Sequence, residues 1–114
     1  MNTYMFVINA KPFSNTKISK IASEAIVHCW VIAENDTIAE SVAYAFISLR
    51  QFEPLSTEHA FLIQPEQIPG FHESEQRLHQ RALRYGIAAD FVVGADALEM
   101  PEDMHMEFPL DSLQ

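Results

Sequence analysis

The chain has 114 residues, of which 48% are hydrophobic and 20% charged, and its 16 acidic and 7 basic residues give a net charge of −9. A chain of this length is expected to fold as a single domain, residues 1–114. The surplus of acidic residues argues against nucleic acid as a partner, because contacts to phosphates need clustered Lys and Arg side chains. A basic protein is a possible partner, since its charge would complement that of this chain.

Cys29 is the only cysteine, so no disulfide can form within the chain and the cytoplasm is the expected location. No stretch approaches the roughly 18 apolar residues of a membrane span, and we expect no contact with a membrane. The N-terminal sequence, MNTYMFVINAK, lacks the basic start of a signal peptide. Cys29 has only apolar or uncharged neighbours in sequence, and this favours a buried, inert thiol over a nucleophile.

The first half of the chain predicts two strands and a helix. Alternation of side chains indicates strands over residues 4–10 and 25–33, and the polar connection between them, 11–23, has room for one helical turn at 18–22. Thr37 and Glu40 match a capping box, in which each side chain bonds a backbone N–H at the start of a helix. We expect this helix to end near Gln51 and to bury one apolar stripe: Ile38, Val42, Ala45, Phe46 and Leu49.

The second half predicts a strand, a helix and a strand. The strand covers residues 55–64, and one side of it carries Leu55, Thr57, His59, Phe61 and Ile63. A loop over 65–70 leads to a helix over 73–85. Gly86 is suited to end that helix in the left-handed conformation. A short strand follows over 88–93, and residues 95–114 are predicted to be an irregular acidic tail.

The element order ββαβαβ predicts an α+β fold of two layers, with two helices on one face of a four-stranded sheet. We place the first strand between the second and third, which gives a split βαβ unit and a ferredoxin-like variant.

The second strand has two different apolar faces, and this pattern gives the main prediction about function. One face carries small side chains that suit close packing by helices: Ala25, Val27, Cys29, Val31 and Ala33. The other carries larger ones: Ile26, His28, Trp30 and Ile32. With both helices on the small face, the large face is left bare, and an exposed apolar face usually marks an interface. We therefore expect a homodimer that packs sheet against sheet, with His59 and Phe61 as further interface or ligand candidates.

Two stretches, YMFVINAKP and VHCWVIAEN with the helix after it, resemble a class of small bacterial proteins, some of which are carried as gene cassettes in integrons. The resemblance covers the first half of the chain. It implies a small α+β domain, often dimeric, of uncharacterised activity. It provides no catalytic residue.

The remaining candidates for chemistry are few. Arg77, Arg81 and Arg84 form a basic stripe on the second helix and could bind a phosphate or carboxylate, although Glu73 is also placed to pair with Arg77 on the helix surface. The five histidines do not show the spacings by which one element binds a metal ion. We predict no catalytic residues, no metal and no cofactor.

These sequence features leave two classes of function. The first is a non-enzymatic, dimeric binding or interaction module. The second is a small dimeric enzyme or ligand-binding protein with a pocket at the sheet face of Trp30, His28 and His59.

Overall fold

A computed structural model describes residues 1–94. The predicted tail, 95–114, lies outside the described residues. Four strands, two helices and two short 3₁₀ turns follow in this order: β1 Asn2–Pro12, a turn Ile18–Lys20, β2 Glu24–Ala33, α1 Asp36–Leu49, β3 Phe52–Ile63, a turn Pro65–Gly70, α2 Glu73–Tyr85 and β4 Ile87–Gly94. The predicted order of strands and helices is therefore confirmed.

The strands form one antiparallel sheet in the order β3-β1-β2-β4. β1 lies between β2 and β3, as predicted, and pairs antiparallel with both of them. β2 and β3 therefore run parallel, and α1 connects them. β4 pairs antiparallel with β2, with Gly94 opposite Glu24. The fold is α+β, with β3 and β4 at the two edges of the sheet.

α1 covers the small face of β2, as the sequence predicts. Ala39, Ala43 and Phe46 of α1 are buried in the same cluster as Val27 and Cys29 of β2. Small side chains on both elements allow the helix to approach the sheet closely. Most of the core lies between α1 and this face.

α2 lies on the other face of the sheet, so the prediction that both helices share one face is wrong. Its buried residues, Leu78 and Ala82, form a separate cluster with Trp30, Ile63 and Ala88. The handedness rule for crossover connections constrains α1, which joins parallel strands, but not α2, which joins the antiparallel strands β3 and β4. The exposed face with Trp30 needs an apolar cover, and α2 provides it. A ferredoxin-like arrangement is therefore not confirmed.

The start of α1 differs from the predicted capping box. The N-cap is Asn35, whose Oδ1 accepts a hydrogen bond from the backbone N–H of Ile38 at 2.9 Å. Glu40 instead accepts a hydrogen bond from the Thr57 hydroxyl of β3 at 2.6 Å. Asn and Thr are both good N-caps, so the sequence allows the helix to begin after Asn35 or, two residues later, after Thr37.

The buried side of α1 also differs from the prediction. Of the predicted apolar stripe only Phe46 is buried, whereas Ile38, Val42, Ala45 and Leu49 are exposed. The helix has two apolar stripes, and the one that contains Ala39 and Ala43 packs on the sheet because it allows closer contact.

β3 begins earlier than predicted and is irregular. The register between β1 and β3 shifts twice, between Val7 and Ile8 and between Asn9 and Ala10. Each shift changes the side to which the following residues point. The Thr57 hydroxyl therefore lies 3.0 Å from the Tyr44 hydroxyl of α1, whereas His59 pairs with Val7 and lies on the α2 side of the sheet.

α2 has the predicted bounds, and Gly86 ends it in the left-handed conformation with φ of 90°. Neither helix in residues 1–94 has the length and apolar character that crossing a membrane requires.

Candidate functional site

α2 covers only part of its face of the sheet. Trp30, Ile63 and Ala88 are buried beneath it, whereas Ile26 and Phe61 are 44% and 46% exposed. The uncovered part of this face, which we call the open sheet surface, consists of seven residues from all four strands: Val7, Asn9, Ile26, His28, His59, Phe61 and Val92. Four of the seven side chains are apolar, and the carboxylate of Asp90, the strand partner of His28, adjoins them on the same face.

Val7 lies at the centre of the open sheet surface. It is the partner of His28 on β2 and of His59 on β3, so the two histidines flank it on neighbouring strands. Since strands are about 4.8 Å apart, the backbones of His28 and His59 are separated by about 10 Å. His59 instead stacks on Phe61, with ring centroids 6.0 Å apart. The sheet therefore brings the predicted residues together on one surface, but not the two imidazoles into contact.

Trp30 is an anchor for α2 and not a surface residue. Its side chain is fully buried, and its indole N–H donates a hydrogen bond to Oε2 of Glu75 at 2.8 Å. The edge of the Phe71 ring contacts it at a centroid distance of 5.2 Å, and His79 lies at 5.4 Å. Ile32 is half-buried against the same cluster. The prediction that Trp30 and Ile32 belong to a bare surface is therefore wrong, because α2 and the turn before it cover them.

An ion pair separates the buried tryptophan from the open sheet surface. Nδ1 of His28 lies 3.6 Å from Oε1 of Glu75, and both side chains are partly exposed. The contact with the Glu75 carboxylate raises the pKa of His28 above its ordinary value, although burial opposes this. In return, His28 lowers the pKa of Glu75, with a further contribution from the Trp30 N–H. Glu75 therefore holds α2 to β2 through two partly buried contacts.

Two further groups near this pair also carry or can carry charge. Asp90 of β4 is the strand partner of His28, and its charge contributes to raising the pKa of His28. Burial lowers the pKa of His79, and the neutral form of this imidazole is therefore favoured beside Trp30. The boundary of α2 with the sheet is thus polar, whereas the open sheet surface beyond it is apolar.

The arginine stripe lies on the outer side of α2. Arg77 and Arg84 are exposed and Arg81 is half-buried. The guanidinium of Arg84 lies 5.4 Å from the centre of the Tyr85 ring. Within residues 1–94 the predicted pair of Glu73 with Arg77 does not form a salt bridge. The stripe adjoins a shallow open groove of about 460 Å³, lined by Gln80, Arg81, Leu83, Arg84 and Tyr85.

Cys29 is completely buried beneath α1, and burial raises the pKa of its thiol far above the usual range. The thiol is therefore protonated and enclosed by apolar side chains, as the sequence predicts. Within residues 1–94, the structure contains no cluster of three or more His, Cys, Asp or Glu side chains that could hold a metal ion.

Four members of the site were not among the sequence candidates for it: Glu75, Val7, Asn9 and Val92. Val7 and Val92 alternate with core residues on their strands, and only the strand order shows that they adjoin Ile26 and His28. Glu75 is one of two acidic residues in the first turn of α2, a position that the helix dipole alone explains. No sequence signal separates it from Glu73.

Comparisons with family models, with curated proteins and with solved structures find no match to this chain. The resemblance to integron cassette proteins therefore stays a prediction.

Proposed function

We propose that the protein is a non-enzymatic interaction module that forms a homodimer through its open sheet surface. The observation that carries the proposal is the partial cover of this face by α2, which leaves Ile26 and Phe61 nearly half exposed around Val7. Exposed apolar surface of this kind is stabilised by burial against a partner. A two-fold axis near Val7 would bring the same surface of both copies together.

Charge supports this surface as the meeting point of two copies. Each copy carries a net charge of −9, so two copies repel one another over most of their surfaces. The polar groups of the open sheet surface are the two imidazoles and the Asn9 amide, and the carboxylates of Asp90 and Glu75 lie beside His28 at its border with α2. Contact that leaves this border at the rim avoids placing like charges opposite each other. The polar contacts of Glu75 and His28 would then lie at the rim.

The size of the surface indicates a weak dimer. Four strands at about 4.8 Å spacing and four residues along each strand give a flat footprint of about 250 Å² per copy. A stable dimer of standard size needs about 800 Å² per copy. The flank of α2 must therefore add to the contact, and we expect dissociation in the micromolar range.

Three isoleucines with nearly equal exposure allow a matched test of this proposal. Ile26 on the open sheet surface is 44% exposed, Ile38 on the outer side of α1 is 44% exposed, and Ile21 in the β1–β2 connection is 45% exposed. We expect Ile26→Asp to give a monomer by sedimentation velocity at about 50 μM, because burying a carboxylate in an apolar interface is costly.

Ile21→Asp and Ile38→Asp add the same charge elsewhere and should leave the dimer intact. If Ile38→Asp is the only one of the three variants that loses the dimer, the interface lies on α1. A wild-type protein that stays monomeric at all micromolar concentrations would contradict the proposal. Binding of a basic protein to the monomer would instead indicate a different partner for the same surface.

The alternative function, a ligand pocket at Trp30, His28 and His59, is less well supported. Trp30 is buried and already bonded to Glu75, and it cannot contact a ligand without displacement of α2. A cytoplasmic location remains part of our proposal and is consistent with the buried, unpaired Cys29.

A further inference from the structure

Acidic and basic residues are distributed unequally along the chain. Residues 95–114 contain no Lys or Arg but contain six of the 16 acidic residues: Asp96, Glu99, Glu102, Asp103, Glu107 and Asp111. Leu, Met and Phe side chains are interspersed among them. α2, in contrast, contains three of the seven basic residues of the chain, Arg77, Arg81 and Arg84. The most acidic segment and the most basic element thus belong to the same molecule.

The outer side of α2 has the features of a surface for an acidic, partly apolar peptide. In the described part of the chain, neither Arg77 nor Arg84 has a carboxylate within salt-bridge distance. Leu83 and Tyr85 are exposed beside them and line the same open groove as Arg81 and Arg84. Arg84 packs over the Tyr85 ring, and an Arg stacked in this way can still offer its N–H groups to a carboxylate.

We propose that residues 95–114 bind the outer side of α2 in the same chain, with carboxylates on Arg77 and Arg84 and apolar side chains on Leu83 and Tyr85. β4 ends at Gly94, and its eight residues span about 26 Å from the end that adjoins α2. Twenty residues can reach over more than 60 Å when extended, so the segment is long enough to return to α2.

Two physical arguments favour this occupant over others. Attachment to the same chain gives the segment an effective concentration in the millimolar range, which a separate peptide would rarely match. The open sheet surface is nearer to Gly94, but it carries no Lys or Arg, so it offers an acidic segment little electrostatic attraction. Charge therefore directs the segment to α2.

A spin label on the full-length chain tests this contact. Cys29 is fully buried, and we expect it not to react under native conditions, so that Ser112→Cys introduces the thiol that takes the nitroxide. Position 112 is 18 residues from Gly94, and a flexible tether of this length reaches about 25 Å on average, so attachment alone causes some broadening and the double Arg variant gives the reference level. We expect broadening of the amides of residues 80–86 in excess of this level at low ionic strength. Salt at about 0.5 M should abolish the excess, because at this ionic strength charges more than a few ångströms apart are screened from each other.

Charge-matched variants provide the control. Arg77→Glu with Arg84→Glu should abolish the excess broadening, whereas Lys17→Glu with Lys20→Glu makes the same change of charge at a distant exposed turn and should preserve it. The Ile26→Asp variant should also preserve it, so that failure of the dimer proposal is distinguishable from failure of this one. Broadening of α2 that is equal in wild type and the double Arg variant, or excess broadening that maps to Val7 and Ile26, would overturn the proposal. If nitroxide-labelled molecules broaden the signals only of other, isotope-labelled molecules mixed with them, the assignment to the same chain is overturned.

Discussion

Glu75→Gln is the change that best isolates how α2 is attached to the sheet. Glu75 accepts a hydrogen bond from the Trp30 indole at 2.8 Å and faces His28 at 3.6 Å. Glutamine keeps an oxygen that can accept from the indole, but it has no charge to pair with His28. The substitution therefore separates the charge of Glu75 from its shape.

The expected loss of stability depends on pH. A hydrogen bond to a charged group stabilises by about 1.5–3 kcal/mol and a neutral one by about 1, so Glu75→Gln should cost about 1 kcal/mol through the Trp30 contact at any pH where Glu75 is ionised. The ion pair with His28 adds at most about 1 kcal/mol, because both side chains are partly exposed and screened by water. We expect a total cost of about 2 kcal/mol when His28 is protonated and of about 1 kcal/mol when it is neutral.

The direction of each pKa shift gives the pH window. His28 has a raised pKa, so its stabilisation is complete below the unfolded value of 6.5 and is lost as the pH rises through the folded value. Glu75 has a lowered pKa, so its stabilisation is present above the unfolded value of 4.5 and is lost as the pH falls through the folded value. The pair therefore stabilises most at about pH 5.5 and contributes little at pH 8.

Urea unfolding at these two pH values measures the effect for wild type, Glu75→Gln, His28→Gln and the double variant. We expect a coupling energy of several tenths of a kcal/mol to about 1 kcal/mol at pH 5.5, and near zero at pH 8. His79, His72 and Asp90 lie nearby, but they are present in all four proteins and their effects cancel in the cycle. Equal costs of Glu75→Gln at both pH values would refute the ion pair, and no cost at either would show that the charge of Glu75 does not strengthen its hydrogen bond with Trp30.

Three further predictions concern local structure. Asn35→Ala should destabilise by about 1 kcal/mol in thermal unfolding, and Thr37→Ala by much less, because only Asn35 caps α1. Gln51→Gly should stabilise by about 0.5 kcal/mol in the same assay, since Gln51 has φ of 66° and glycine tolerates this conformation; a loss of stability would contradict this. Cys29 should not react with a thiol reagent in native buffer but should react fully in urea, and immediate native reaction would show that it is accessible.

The sequence predicts much of the fold because local signals and tertiary packing agree over most elements. α2 has its predicted bounds, since the apolar spacing of Leu78 and Ala82 and the terminal Gly86 indicate the same helix. The choice of face for α2 was beyond prediction, because it depends on which apolar surface α1 leaves uncovered. The buried side of α1 was predicted incorrectly for a related reason. Both of its apolar stripes fit a helix, and only packing on the sheet distinguishes them.

The candidate site was predictable in position but not in composition. Ile26, His28, His59 and Phe61 do lie on one face, because strand alternation fixes the side of each residue once the strands are ordered. Trp30 shares that face but is buried, and Glu75 bonds to it from 45 residues away. No local pattern contains such a contact. The register shifts in β3 likewise separate Thr57 from His59 without a clear signal in the sequence.

Isotope-filtered NOE spectra of a mixed sample, in which half of the molecules are labelled, test the proposed dimer most directly. Ile26 and Phe61 are two strands apart and lie in different rows of the sheet, too distant for an NOE within one molecule. We predict intermolecular NOEs that involve Val7, Ile26, Phe61 and Val92 and none that involve Ile38, Val42 or Leu49. NOEs confined to α1, or no intermolecular NOE at the highest attainable concentration, would contradict dimerisation through the open sheet surface.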